Sequence, residues 1–89
     1  MFATFTDWSM DNPEESVKKA QEMWPEMKAV GAVNMRVVKT DDTGARSMTM
    51  WPDEATAMKA IDAMRAKGAA KSGSEVVGSA MGTVLAEMD

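Results

Sequence analysis

No cysteine and no histidine occur in this 89-residue chain. Without cysteine there is neither a disulfide framework nor a thiol nucleophile. Without histidine as well, tetrahedral zinc spacings, Ser-His-Asp triads and proximal-histidine haem sites each lose a ligand or a base. None of the remaining side chains has an ordinary pKa near 7, so general-base chemistry requires a shifted carboxylate or an already acidic substrate. Branched aliphatics are also scarce, with one Leu (Leu85), one Ile (Ile61) and eight Val. Leu, Ile, Val and Phe together make 12 of 89 residues, a fraction that taken alone suggests disorder. Eleven Met and three Trp restore a core, built from soft and adaptable side chains.

Positive charge is limited and dispersed. Ten Lys and Arg against fourteen Asp and Glu give a net charge of −4 and a pI of about 4.7, and the cations form no stripe that would neutralise phosphates. Nucleic acid is therefore not an expected partner. No apolar run approaches the ~20 residues of a membrane span, and the start, Met-Phe-Ala-Thr-Phe-Thr-Asp-Trp, has no positive region. The expectation is a cytoplasmic protein without membrane contact. A mass of 9.6 kDa implies one domain over residues 1–89, with a folded surface of roughly 5,000 Å². That is too small for a cofactor fold plus a substrate fold, and no cofactor or metal is expected.

Strand formers fill residues 1–8. Asn12-Pro13-Glu14-Glu15 is a helix start, with a side-chain cap, a proline whose missing N–H costs nothing, and acids at the positive end of the dipole. A helix over 13–28 with the stripe Val17, Ala20, Trp24 and Met27 follows, kinked or broken near Trp24 by Pro25 and closed by Gly31. Residues 32–39 and 45–51 form a hairpin around the turn cluster 40–44. Antiparallel partners have a constant sum of residue numbers. A sum of 85 pairs Met35 with Met50, Val37 with Met48, Asn34 with Trp51 and Arg36 with Thr49, which gives one apolar face and is the expected register. Asp53 caps a second helix running to about Lys67, residues 68–74 read as a small flexible linker, and residues 75–87 read as a last strand interrupted at Gly78 and Gly82.

The order β-α-β, β-α-β predicts an α+β fold of the ferredoxin-like kind, βαββαβ, a four-stranded antiparallel sheet with two helices on one face. Ala3, Phe5, Val33, Met35, Val37, Met48 and Met50 would then face the helices. Thr4, Thr6, Trp8, Asn34, Arg36, Val38, Ser47, Thr49, Trp51 and, further along, Met81 and Thr83 would lie on the open face. Tryptophans on an open sheet face need cover, and a second copy related by a two-fold axis supplies it.

A chain of about ninety residues that starts in a strand, has this element order and carries Trp51-Pro52-Asp53-Glu54-Ala55 between third strand and second helix resembles the dimeric α+β barrel superfamily, typified by the antibiotic biosynthesis monooxygenases. The resemblance implies a homodimer with a cavity between the sheets, and in some members cofactor-independent oxygenation of phenolic substrates. Cavity Asn, Trp and Arg side chains serve some of those oxygenases, and Asn34, Arg36 and Trp51 are the residues of those types here. The haem-degrading branch needs a histidine, which this chain lacks.

The candidate cavity residues are therefore Asn34, Arg36, Thr49, Trp51 and Trp8, around a small aromatic, acidic or phenolic ligand. Arg36 suits a carboxylate or phenolate, or an acid across the dimer such as Asp7 or Glu87. Asn34 would orient a carbonyl or bind interfacial water, and Trp51 and Trp8 serve equally as interface aromatics. Asp41 and Asp42 are turn residues, and the Gly68 to Ser72 stretch follows a helix, which is the wrong context for a phosphate loop. The rival function is a non-enzymatic dimeric interaction module whose sheets close on each other and leave no cavity. A base-stacking module on the same sheet is the most distant alternative.

Overall fold

Two of the helices begin at side-chain caps. Asn12 Oδ1 accepts from the Glu15 N–H at 3.2 Å and Asp53 Oδ1 from the Thr56 N–H at 2.8 Å, each satisfying one orphan donor of a first turn. The computed structural model describes residues 1–88. Its elements are β1 (Phe2–Ser9), α1 (Pro13–Gln21), α2 (Trp24–Ala29), β2 (Asn34–Asp41), β3 (Gly44–Trp51), α3 (Glu54–Ser72) and β4 (Glu75–Thr83). The break expected near Trp24 is present. Pro25 has no N–H for the Gln21 carbonyl, so α1 stops at Gln21 and α2 restarts with the proline in its first turn. Gly31 then turns the chain at φ +107°.

Two boundaries differ from the sequence reading. The stretch 68–74 is not a linker, because α3 runs through Gly68 to Ser72 and ends on Gly73 in the left-handed region at φ +67°. Gly68 sits where the helix passes close to Trp8: an added Cβ would lie 3.3 Å from Trp8 Cη2. The neighbouring alanines carry the helix past it. The last strand ends at Thr83 rather than 87, and its one irregularity lies between the Asp7 and Trp8 pairings. There Gly78 makes room for the Asp7 carboxylate, 2.9 Å from where a Cβ would stand. Gly82 continues the ladder without a bulge.

The four strands are antiparallel in the order β2-β3-β1-β4. The hairpin register is the main correction. Partners Asn34↔Met50 through Lys39↔Ala45 have numbers that sum to 84, and 85 holds at the tip alone, Asp41↔Gly44, because the ladder is irregular between Lys39 and Asp41. One residue of slip reverses a strand's faces. Met35 and Val37 face the helices as expected. Thr4, Thr6, Trp8, Ser47, Thr49 and Trp51 join them there instead of lying on the open face, with Met81 and Thr83 as their neighbours on β4. Ala3, Phe5, Met48 and Met50 turn outward instead, beside Asn34, Arg36 and Val38.

The physical reason is visible in what the hydroxyls bond. A sum of 85 would give an all-apolar inner face, yet the actual inner face interleaves Thr and Ser with Trp and Phe and supplies three of the hydroxyls with donors. Trp51 Nε1 donates to Thr4 Oγ1 at 2.9 Å, Trp8 Nε1 to Ser47 Oγ at 3.0 Å, and Arg65 Nε to Thr6 Oγ1 at 2.9 Å. No fully buried side-chain polar atom among the described residues lacks a partner. Trp51 is 0% and Thr4 1% exposed. Around Trp51 the core gathers Phe2, Met23, Met27, Ala57, Ala60, Ile61 and Met64. No helix among the described residues is long and apolar enough to cross a membrane.

Thr4→Val keeps the volume but leaves the Trp51 N–H without an acceptor, and should destabilise the protein by about 1–3 kcal/mol. Trp51→Ala, which opens a cavity at the same place, should cost about 3–5 kcal/mol. Urea unfolding of the two variants against wild type measures both.

Candidate functional site

Helix α1 presents small and polar residues inward, Ser16, Val17, Ala20 and Gln21, and the sheet beneath it presents Val37, Ser47 and Thr49. The helix makes its main contacts with α3 rather than with a strand. Between α1 and the sheet lies a cavity of about 540 Å³, within the range of small-molecule sites. Trp8 and Met10 bound it on one side, while Met23, Trp24, Met27, Ile61 and Met64 make the rest of its wall largely apolar.

One charged side chain lines this space, Arg65 of α3. Its Nε donates to Thr6 Oγ1 and its Nη2 to the Phe5 carbonyl at 3.2 Å. No carboxylate among the described residues pairs with it; the ion pairs there are Lys18–Glu15, Lys39–Glu14, Arg46–Asp7, Lys67–Glu26 and Lys71–Glu22. The cavity lining contains no aspartate or glutamate.

A smaller depression of about 330 Å³ between α1 and β2 shares Val17 and Val37 with the cavity and is bordered by Glu14 and Lys39. Lys39 Nζ donates to Glu14 Oε1 at 2.9 Å and ties the start of α1 to β2. That hydrogen bond holds the Glu14 carboxyl below its ordinary pKa and raises the lysine above its own. On the far side, Glu22 and Glu26 bridge to Lys71 and Lys67 of α3.

The five residues singled out in the sequence are not brought together. Trp8 and Thr49 line the cavity. Trp51 lies in the core with its N–H bonded to Thr4. Asn34 and Arg36 are exposed on the other face of β2. The space itself is between the sheet and the helices of one chain. Trp24 is a lining residue that the sequence places on a core stripe, and Arg65 is one that the sequence reading did not single out. The available signal was an arginine on the inward stripe between Ile61 and Gly68, where a fourth apolar residue belongs. At the hairpin tip, Asp41 Oδ1 accepts from the Thr43 N–H at 2.9 Å, which is turn chemistry.

Compared with known protein families and with curated proteins, the sequence matches none. Among solved structures, it is similar to the 2.20 Å crystal structure of a dimeric ferredoxin-like protein from an uncultured marine organism. The TM-score is 0.67 at 12% sequence identity, over 100% of this chain and 99% of the other. The fold is ferredoxin-like. At that identity the likeness carries the fold and no activity.

Because Glu14 titrates below its ordinary value when folded, its contribution to stability is complete above the unfolded glutamate pKa and is lost as the pH falls through the lowered folded value. Unfolding measured by urea from about pH 7 down to about pH 3, a window that spans the ordinary glutamate pKa, should show a smaller acid-side decline in Glu14→Gln than in wild type.

Proposed function

We propose that residues 1–89 act as one ferredoxin-like domain that binds a small, largely apolar molecule in the cavity between α1 and the sheet. The observation that carries this reading is the size of the cavity in so small a chain. The space is partly open to solvent and its lining is largely apolar, so a ligand seated there would gain about 25 cal/mol for each Å² of apolar surface it covers. A wall of Met, Trp, Val and Ile offers water few hydrogen-bond partners, so an apolar occupant suits it better than solvent does. Methionines also suit such a site, since their thioethers adapt to the shape they meet.

The same reading makes the protein a homodimer. The outward face of the sheet exposes Val38 at 59% and carries half-buried Phe5 and Met48, and the similar solved protein is described as dimeric. Asn34 and Arg36 then belong to the contact between copies, and Trp8 and Thr49 to the ligand. The resemblance to the antibiotic biosynthesis monooxygenases would add oxygenation of a phenolic ligand. With neither a carboxylate nor a histidine in the lining, that chemistry would rest on the ligand's own acidity, and the geometry supports binding ahead of turnover.

Trp8 and Trp24 both border the cavity, so tryptophan fluorescence should change saturably on titration with small aromatic and aliphatic compounds, one per chain. Ala20→Leu, which fills the space from α1, should abolish the response while leaving stability unchanged or raised, where overpacking a closed core would cost about 1–3 kcal/mol. A flat signal with every compound would return the protein to the non-enzymatic, closed-interface module. Light scattering should give about twice the 9.6 kDa of one chain; a monomer mass would remove the dimer.

A further inference from the structure

We propose that Arg65 is the anchor for a single carboxylate on the molecule that fills the cavity, an inference that rests on the binding reading above. A partly buried cation at an apolar wall requires a counter-charge or a full set of acceptors. Five cations have no acidic partner among the described residues, Lys19, Lys28, Arg36, Lys59 and Arg65; of these Arg65 alone is half-buried and lines the cavity. Asp62, one turn earlier on α3, is exposed and does not pair with it.

Its guanidinium is nevertheless held in place. Nε and Nη2, which form one edge of the planar group, donate to the Thr6 hydroxyl and the Phe5 carbonyl of β1, and Thr6 is itself 3% exposed. Of its five N–H donors three remain, and they include the Nη1 and Nη2 pair of the end-on edge, whose spacing matches the two oxygens of a carboxylate. A cation already fixed by two hydrogen bonds loses little further freedom when an anion docks.

The lining also sets the rest of the ligand. No second cation borders the cavity, so dicarboxylates and nucleotides would bring uncompensated charge into it. Trp24, Met27, Met35 and Met64 present aromatic and thioether surface for an apolar body. The class is an apolar monocarboxylate, either a fused-ring aromatic acid or a medium-chain fatty acid.

Isothermal titration calorimetry of the full chain with two matched pairs tests this: 1-naphthaleneacetate against 1-naphthaleneacetamide, and dodecanoate against dodecanamide. In at least one pair the acid should bind roughly tenfold or more tightly than its amide. Arg65→Gln should remove that preference and leave the amide's affinity within about twofold, with Arg65→Lys intermediate. Equal affinities of acid and amide in wild type would overturn the anchor while the cavity reading stands. A preference for the acid that survives in Arg65→Gln would place the charge recognition elsewhere and overturn it too. Saturation by neither member of either pair would overturn the cavity reading, and the anchor with it.

Discussion

An indole N–H that is taken completely out of water must find an acceptor, and for Trp51 that acceptor is the Thr4 hydroxyl on the neighbouring strand. This requirement ties β1 to β3 in one register, since sliding either strand by one residue would place the hydroxyl and the indole on opposite faces. The same logic repeats along the strands with Trp8 and Ser47, and with Arg65 and Thr6. Hydrogen bonding between large donor-bearing side chains and short hydroxyls therefore selects the inner face, and the apolar core assembles on that choice. Methionines on β3 that hydrophobicity would place inside are outside because they alternate with Ser47, Thr49 and Trp51.

A second constraint follows from what the chain does not contain. With one Leu and one Ile, the helix-to-sheet layer has few side chains able to fill the middle of the interface. Trp51, Phe2 and the methionines of α2 and α3 pack one end well. Beneath α1, Ser16, Val17 and Ala20 face Val37, Ser47 and Thr49 around the cavity. The cavity is thus a direct result of small residues on both sides of one layer, and scarcity of branched aliphatics is its sequence signature.

The element order, the caps at Asn12 and Asp53, the break at Pro25 and the hairpin were legible because each depends on residues adjacent in sequence. The register was not, for two reasons. An irregularity at Thr40 shifts the count between tip and strand body, and a period-two reading rewards apolar faces without seeing which hydroxyls a distant indole or guanidinium will satisfy. The end of α3 was misplaced because Gly68 has the composition of a stop but answers to Trp8, sixty positions away. The cavity was illegible for the same reason, as its lining is drawn from six separate elements. Trp8 and Thr49 reach the cavity from the inner face and not from the open face that a sum of 85 would give them, whereas Asn34 and Arg36 stay on the open face.

The ion pairs explain how an underfilled layer keeps its shape. Lys39 holds the start of α1 to β2, and Lys67 and Lys71 hold α2 and the residue just past α1 to α3. All three are at the periphery and solvent-exposed, so each contributes modestly to stability, yet together they fix the helices at both ends while the centre stays open. Exposed pairs break and reform more easily than packed side chains do. The cavity wall and the Trp51 core share Met23, Met27, Ile61 and Met64, so the packing that seats the sheet also shapes the space.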